Sequence, residues 1–204
     1  MPSLPVRAIS TIWAENAVFF GHWLRRPLAI GAVLPSGRAV ARAMARELPA
    51  RRSGVVLELG GGTGSLTQAL LDAGCDAGEL IVIERERALA QALRRRFPQL
   101  RIVEADARAL GSVLADQKIQ SLSGVVSSLP IKWFGLAAQR AIVDACLARL
   151  TPDAPFLQLT NALASPLPMR ALGLDGVEVA RVWAQLPPVQ IWRYRRTVVG
   201  GGSR

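Results

Sequence analysis

The chain has 204 residues, half of them hydrophobic, with 25 Lys+Arg against 15 Asp+Glu and a net charge of +10. That length suits one domain, 1–204, with a sizeable core, and no run of about 20 uncharged apolar residues exists, so no transmembrane helix is predicted. Cys75 and Cys146 lack metal or redox spacing, so both are expected to pack as small hydrophobes in a reducing compartment, with no metal site.

Residues 1–50 form a helical lead before an alternating core over 51–199. Within the lead, 8–26 reads as an amphipathic helix with Ile9, Ile12, Trp13, Phe19, Phe20, Trp23 and Leu24 on one stripe. Thr11, Glu15, His22 and Arg25 fall opposite. Glu15 interrupts the apolar stretch and Arg25-Arg26 follows it, an order unlike a signal peptide. Such a stripe either packs as core or lies at the headgroup level of a membrane. Its aromatic content and the chain's basic charge favour the membrane. That charge is nearly all arginine, whose fork grips phosphate, so an anionic partner is expected, either nucleic acid or an anionic bilayer. Pro27 to Gly37 is an apolar loop able to close over a ligand, and Ser36 then caps a helix running to Leu48.

Residues 55–59, Val-Val-Leu-Glu-Leu, read as a buried strand, and Gly60-Gly61-Gly62-Thr63-Gly64 follows. Glycines remove side chains where the backbone turns sharply and a bound molecule comes close. With helical composition over 65–73, the unit makes a cradle for a nucleotide-like ligand. A dinucleotide loop needs its third glycine three after the second, whereas Gly60, Gly62 and Gly64 are two apart. No lysine follows, as a phosphate-binding loop would require. Glu58-x-Gly60-x-Gly62-x-Gly64 instead resembles the first motif of class I S-adenosylmethionine-dependent methyltransferases. That ligand carries no phosphate, and its amino and sulfonium charges suit an acid such as Glu58.

The body continues as strand 80–83, helix 86–96, strand 101–103, helix 107–115, strand 124–127, helix 135–149 and strand 155–160. Such alternation predicts a parallel sheet with helices on both faces. Residues 177–182 and 189–196 close it as an antiparallel hairpin around Pro187-Pro188. Glu84 ends the second strand, where an acid can accept both ribose hydroxyls. Asp106 follows the third strand and either caps the next helix, meets an adenine amino group as the resembled family implies, or does both.

The fourth strand ends Ser127-Ser128-Leu129-Pro130-Ile131-Lys132-Trp133-Phe134. Adenine-amine methyltransferases place an Asn or Asp before Leu-Pro and an aromatic after it, to hold and stack the extruded base. Ser128 and Ile131 occupy those positions here, so the Leu-Pro turn is kept while the purine-reading groups are lost.

Trp23–Met44, Glu58–Gly64, Val126–Pro130 and Trp183–Tyr194 together resemble the bacterial phospholipid N-methyltransferases, relatives of rRNA adenine dimethylases. Gly61 stands where a proline is common, and Ser128 where a glycine is common. The resemblance implies a class I methyltransferase fold, α/β and Rossmann-like, with a seven-stranded sheet. It implies S-adenosyl-L-methionine as cofactor, leaving as S-adenosyl-L-homocysteine, and methylation of phosphatidylethanolamine toward phosphatidylcholine. The protein would associate peripherally with the inner membrane from the cytoplasm, and nucleic acid is not expected as partner. The cofactor would meet Gly31, Ala32, Ser36, Glu58, Gly60, Gly62, Gly64, Glu84, Arg85, Asp106, Ala107 and Ser127. The reacting amine would meet Ser128, Leu129, Pro130 and Tyr194. Trp13, Phe19, Phe20, Trp23, Arg25, Arg26, Trp133 and Arg193 would meet lipid.

The chemistry required is modest. A neutral amine lone pair must approach the sulfonium methyl in line, so positioning supplies much of the acceleration. The ammonium must first lose a proton, for which Ser128, the Leu129 carbonyl, Tyr194 and His22 are the candidate acceptors. Trp133 and Phe134 could offer aromatic faces to a methylated cation. Arg181, Arg193, Arg195 and Arg196 alternate on the last hairpin, so one or two of them could hold a lipid phosphate. Two alternatives remain: an RNA adenine methyltransferase, and a non-catalytic membrane-binding module that keeps a cofactor fold.

Overall fold

A computed structural model describes residues 35–48, 54–183 and 188–197. The 8–26 helix and the loop after it, with Trp13, Phe19, Phe20, His22, Trp23, Arg25, Arg26, Gly31 and Ala32, lie outside the described residues. The described elements begin with α1 (Pro35–Glu47), β1 (Val55–Leu59), α2 (Ser65–Asp72), β2 (Leu80–Glu84), α3 (Arg87–Arg96) and β3 (Arg101–Glu104). They continue with α4 (Leu110–Asp116), β4 (Leu122–Ser127), α5 (Leu136–Leu147), β5 (Phe156–Thr160), α6 (Met169–Leu172), β6 (Leu174–Val182) and β7 (Val189–Arg196).

The seven strands form one sheet in the order β3-β2-β1-β4-β5-β7-β6. β1 to β5 run parallel, while β7 pairs antiparallel with both β5 and β6. Apolar residues alternate between the two faces, as the period of two in a strand dictates. Leu57, Leu59, Ile83, Val125 and Phe156 pack with Leu110 and Leu114 of α4 and Ile142 and Cys146 of α5. Val56, Val82, Val126 and Leu157 pack on the opposite side with Val40 and Met44 of α1, Leu70 of α2 and Leu93 of α3. The result is the three-layer class I methyltransferase fold, with the antiparallel final hairpin that the sequence predicts.

Several boundaries differ from the expectation. α1 is described from Pro35, which puts Ser36 inside a helix rather than at its cap. The helix expected over 107–115 splits into a 3-10 turn, Ala107–Ala109, and α4. β6 starts at Leu174 rather than 177, and the short helix α6 precedes it without a sequence signal. Cys75 and Cys146 are both buried, as their apolar reading requires. Among the described residues no helix is long and apolar enough to cross a membrane. Because β1 to β5 are parallel, their C-terminal ends open onto one edge, where ligands of such sheets collect.

Candidate cofactor and acceptor site

At that edge β1 delivers Glu58, which is fully buried. Alternation along β1 turns it toward the α1–α3 face, where Thr67 of α2 also lies buried. Neither Glu58 carboxylate oxygen has a hydrogen-bond partner among the described residues, and the Thr67 hydroxyl has none either. Burial pushes the Glu58 carboxyl up to about 8, helped by the Glu84 charge and opposed by the nearby Thr67 hydroxyl and amide. A buried acid without partners is costly unless a ligand supplies them, and a cation beside it would restore the anion.

The glycine loop then crosses the strand ends. Gly62 has φ +53°, and the position a Cβ would take has nothing within 4 Å, so its open side faces space a ligand can fill. Its amide donates to Glu84 Oε2 at 2.8 Å. The Glu86 amide donates to Glu84 Oε1, also at 2.8 Å. The loop and the end of β2 are thereby locked together. Each Glu84 oxygen keeps one lone-pair direction for a further donor.

Asp106 fills the capping role its position suggested and takes a second partner. It caps the 3-10 turn by accepting from the Arg108 amide at 2.9 Å. The Arg108 guanidinium also grips its carboxylate, with Nε within 3.0 Å of both oxygens. Those hydrogen bonds hold the Asp106 carboxyl below its ordinary range, although its partial burial works the other way. Arg85 Nη1 stands 4.0 Å away on the same carboxylate, and Ala107 is buried beside it. Arg108 is a clamp that the sequence reading missed. An arginine two residues after an acid at a strand end is the pattern that could have revealed it.

The β4 turn supplies the acceptor side. Ser128 Oγ donates to the Gly60 carbonyl at 2.7 Å, and the Ser128 amide donates to the Leu59 carbonyl at 3.0 Å. Ser127 Oγ accepts from the Leu129 amide at 3.4 Å. The Leu129 carbonyl takes two donors, Gln158 Nε2 at 2.9 Å and the Ile131 amide at 2.7 Å. Both its lone pairs are used, which removes it as a proton acceptor and corrects the expectation. Pro130 leads into a 3-10 turn over Ile131–Trp133, whose Ile131 carbonyl is held by Gln139 Nε2 at 2.9 Å.

Tyr194 is also placed otherwise than expected. Its hydroxyl shares a 2.7 Å hydrogen bond with Ser165, and its ring packs near Phe156 and Trp192. Burial pushes it up to about 12, so it is a neutral group that positions the last strand pair rather than a proton acceptor at the turn. The hairpin arginines are each paired with an acid: Arg181 with Glu178, Arg193 with Glu47 at 3.2 Å, Arg195 with Asp175 and Arg196 with Asp144. Arg193 thus ties β7 to α1, and the expected phosphate clamp is not assembled. Period-two spacing shows which residues share a face, never which partners face them.

Sequence reasoning also missed two buried amides. Both Gln158 Nε2 hydrogens are spent, on the carbonyls of Leu129 and Leu159, which fixes the amide and leaves Oε1 without a donor. Gln190 Oε1 accepts from Trp192 Nε1 at 3.0 Å, leaving its Nε2 without an acceptor. A glutamine inside the apolar run Phe156–Leu159 was the available signal.

An orphaned buried acid, an open glycine, a locked acid at the end of β2 and a capped acid after β3 lie along one sheet edge, the features a site for a cationic nucleoside such as a methyl donor would need. The comparisons agree. A family model described as a methyltransferase domain matches residues 56–153. The ornithine lipid N-methyltransferase of Singulisphaera acidiphila is 33% identical over 147 residues, covering 71% of this chain and 77% of that protein. A ribosomal RNA small subunit methyltransferase A of Chlorobium luteolum is 45% identical, but over 51 residues, 25% of this chain and 18% of that one. The crystal structure of the Burkholderia thailandensis 1,6-didemethyltoxoflavin-N1-methyltransferase, bound to S-adenosylhomocysteine, aligns with a TM-score of 0.60 at 16% identity. That alignment covers 96% of this chain and 92% of that one, and at such identity it speaks for the fold alone. The chain belongs to the class I S-adenosylmethionine-dependent methyltransferases, and S-adenosylmethionine is its cofactor.

Proposed function

We propose that this methyltransferase acts on the amine of a phospholipid headgroup, carrying phosphatidylethanolamine and its methylated intermediates toward phosphatidylcholine. It would work peripherally from the cytoplasmic face of the inner membrane. The observation that carries this reading is the β4 turn. It keeps the Leu-Pro geometry of amine methylation, yet Ser128 replaces the base-reading amide and the buried Ile131 replaces a stacking ring. The 33% identity to a protein named for lipid N-methylation supports it.

When bound, S-adenosylmethionine supplies an electrophilic sulfonium methyl. Glu58 would face its cationic end, Glu84 the ribose hydroxyls, and Asp106 with Ala107 the adenine. Gly62 would admit its body, while Gly60 and Gly64 shape the loop against the β4 turn and α3. On the acceptor side, Ser128 has its hydrogen committed to Gly60, so its oxygen can only accept. It would therefore take an N–H of the incoming amine and turn the lone pair toward the methyl. Neither Leu129 nor Tyr194 can take the ammonium proton, which leaves water and His22, outside the described residues, as its acceptors before transfer.

Vesicles of phosphatidylethanolamine with an anionic lipid, incubated with radiolabelled cofactor and resolved by chromatography, test the reading. Label should appear in mono-, di- and trimethylated lipid. A preparation that binds the cofactor yet labels no lipid would overturn it. The RNA reading has in its favour the basic charge and partial matches to rRNA methyltransferases, over 51 and 91 residues, but Ile131, in the core, replaces the ring that would follow Leu-Pro to stack a flipped base.

A further inference from the structure

The half of the sheet edge beyond the acceptor turn carries apolar side chains that the transfer chemistry does not use. Trp133 and Leu136 follow β4, Leu163 follows β5 and Trp183 follows β6; they are 60%, 48%, 80% and 71% exposed. β6 is antiparallel to β7, and β7 to β5, so β6 ends on the same edge as β4 and β5. All four side chains therefore belong to the edge that holds the β4 turn. Isolated exposed hydrophobics are ordinary, but four on one edge, two of them tryptophans, mark an interaction surface.

The charge near Trp133, Leu136 and Leu163 has one sign. After β4 and β5, residues 128–143 and 161–168 contain Lys132 and Arg140 and no Asp or Glu. Lys132 Nζ lies 5.7 Å from the Trp133 ring centroid, and the Arg181 guanidinium lies 5.5 Å from that of Trp183. Arg181 is also paired with Glu178, so its charge is partly spent. A tryptophan beside a cation is the pairing that settles at the headgroup level of a bilayer, ring toward the chains and charge toward phosphate.

Resting on the function proposed above, we infer that this edge docks on an anionic phospholipid bilayer. Trp133, Leu136, Leu163 and Trp183 enter the headgroup region, and the acid-free loops after β4 and β5 meet the surface charge. The acceptor turn then faces the membrane, and a lipid amine reaches it without leaving the bilayer. Trp133 and Trp183 could also stack bases, but Leu136 and Leu163 offer a base nothing to stack on, which favours the bilayer.

The test uses the full chain and vesicles of phosphatidylglycerol and phosphatidylethanolamine. Partition of a Leu163→Glu, Trp183→Glu double variant should be about tenfold weaker than wild type, because apolar contact is lost and like charge is added. Its affinity for S-adenosylhomocysteine by calorimetry should be unchanged. In a Trp13→Phe, Trp23→Phe background, brominated phosphatidylglycerol should quench the remaining tryptophan fluorescence, and the further change Trp133→Phe, Trp183→Phe should abolish most of that quenching. A double variant that partitions like wild type, the absence of quenching, or a loss confined to binding of an RNA oligonucleotide overturns the proposal. Vesicle binding without lipid methylation would sink the proposed reaction and leave the docking edge standing. Lipid methylation with unaltered partition of the double variant would do the reverse.

Discussion

Ser128 Oγ and the Gly60 carbonyl, 68 positions apart in the chain, are joined by a 2.7 Å hydrogen bond that ties the acceptor turn to the cofactor loop. The two halves of the site thereby share one backbone reference, and the reacting centres inherit their separation from it. Ser128→Ala removes that tie and the oxygen proposed to receive the amine. A hydrogen bond of this kind contributes about 1 kcal/mol, so kcat should fall about fivefold with little change in cofactor affinity. Steady-state kinetics beside calorimetry checks this; equal losses in both would show that the serine serves the cofactor loop alone.

Gln158 makes a sharper case, because its structural cost and its positional role are separable. Gln158→Leu deletes two hydrogen bonds to carbonyls but also removes a buried acceptor, Oε1, that has no donor. These effects oppose, so global stability should change by no more than about 1 kcal/mol. The Leu129 carbonyl loses one of its two donors, and the turn is less firmly held. Denaturant unfolding should give a near-native midpoint while methyl transfer drops several-fold. A large loss of stability would make Gln158 a core residue with no part in positioning.

Glu58 sets a pH dependence whose sign follows from its raised carboxyl. Its ordinary value is 4.5 and burial lifts it to about 8 in the folded chain. The native state therefore holds a proton that the unfolded state releases between those values, and ligand-free stability from this group falls as pH rises from 4.5 to about 8, then levels. Glu58→Gln should flatten that part of a melting-temperature profile. A cationic ligand favours the anion, so cofactor binding at neutral pH should release a proton. Calorimetry in buffers of different ionisation enthalpy measures that release, and it should vanish in Glu58→Gln.

The parallel body, the closing hairpin and the acids at successive strand ends were legible because each shows as a local pattern: an apolar run, then Glu58, Glu84 or Asp106. The partners of those acids were not. Gly62 on Glu84 and Gly60 on Ser128 are contacts between crossover units, and no periodicity along one segment encodes them. The hairpin arginines looked free for phosphate because a strand pattern cannot show Glu47 arriving from α1 or Asp144 from α5. Gln158 was passed over because one polar residue inside an apolar run reads as a tolerated exception until its donors are seen.

Gly62 and Gly64 separate a cradle from a packing joint within one loop. Both have positive φ, +53° and +80°, so alanine at either carries a backbone cost of about 1–2 kcal/mol. Their surroundings differ. A Cβ at Gly62 would meet nothing within 4 Å, whereas one at Gly64 would stand 2.6 Å from Phe97 Cε2 and 2.8 Å from Leu93 Cδ2, forcing α2 away from α3. Gly64→Ala should therefore add overpacking to the backbone cost, about 2–4 kcal/mol in all, and lower the melting temperature most. Gly62→Ala should lose only the backbone cost, about 1–2 kcal/mol, while its methyl fills the space into which the cofactor must fit. Its affinity for S-adenosylhomocysteine should fall by more than tenfold, a loss of over about 1.4 kcal/mol. If Gly62→Ala bound the ligand as tightly as wild type, the open side of the loop would face solvent, and the cradle would have to be sought elsewhere along the strand ends.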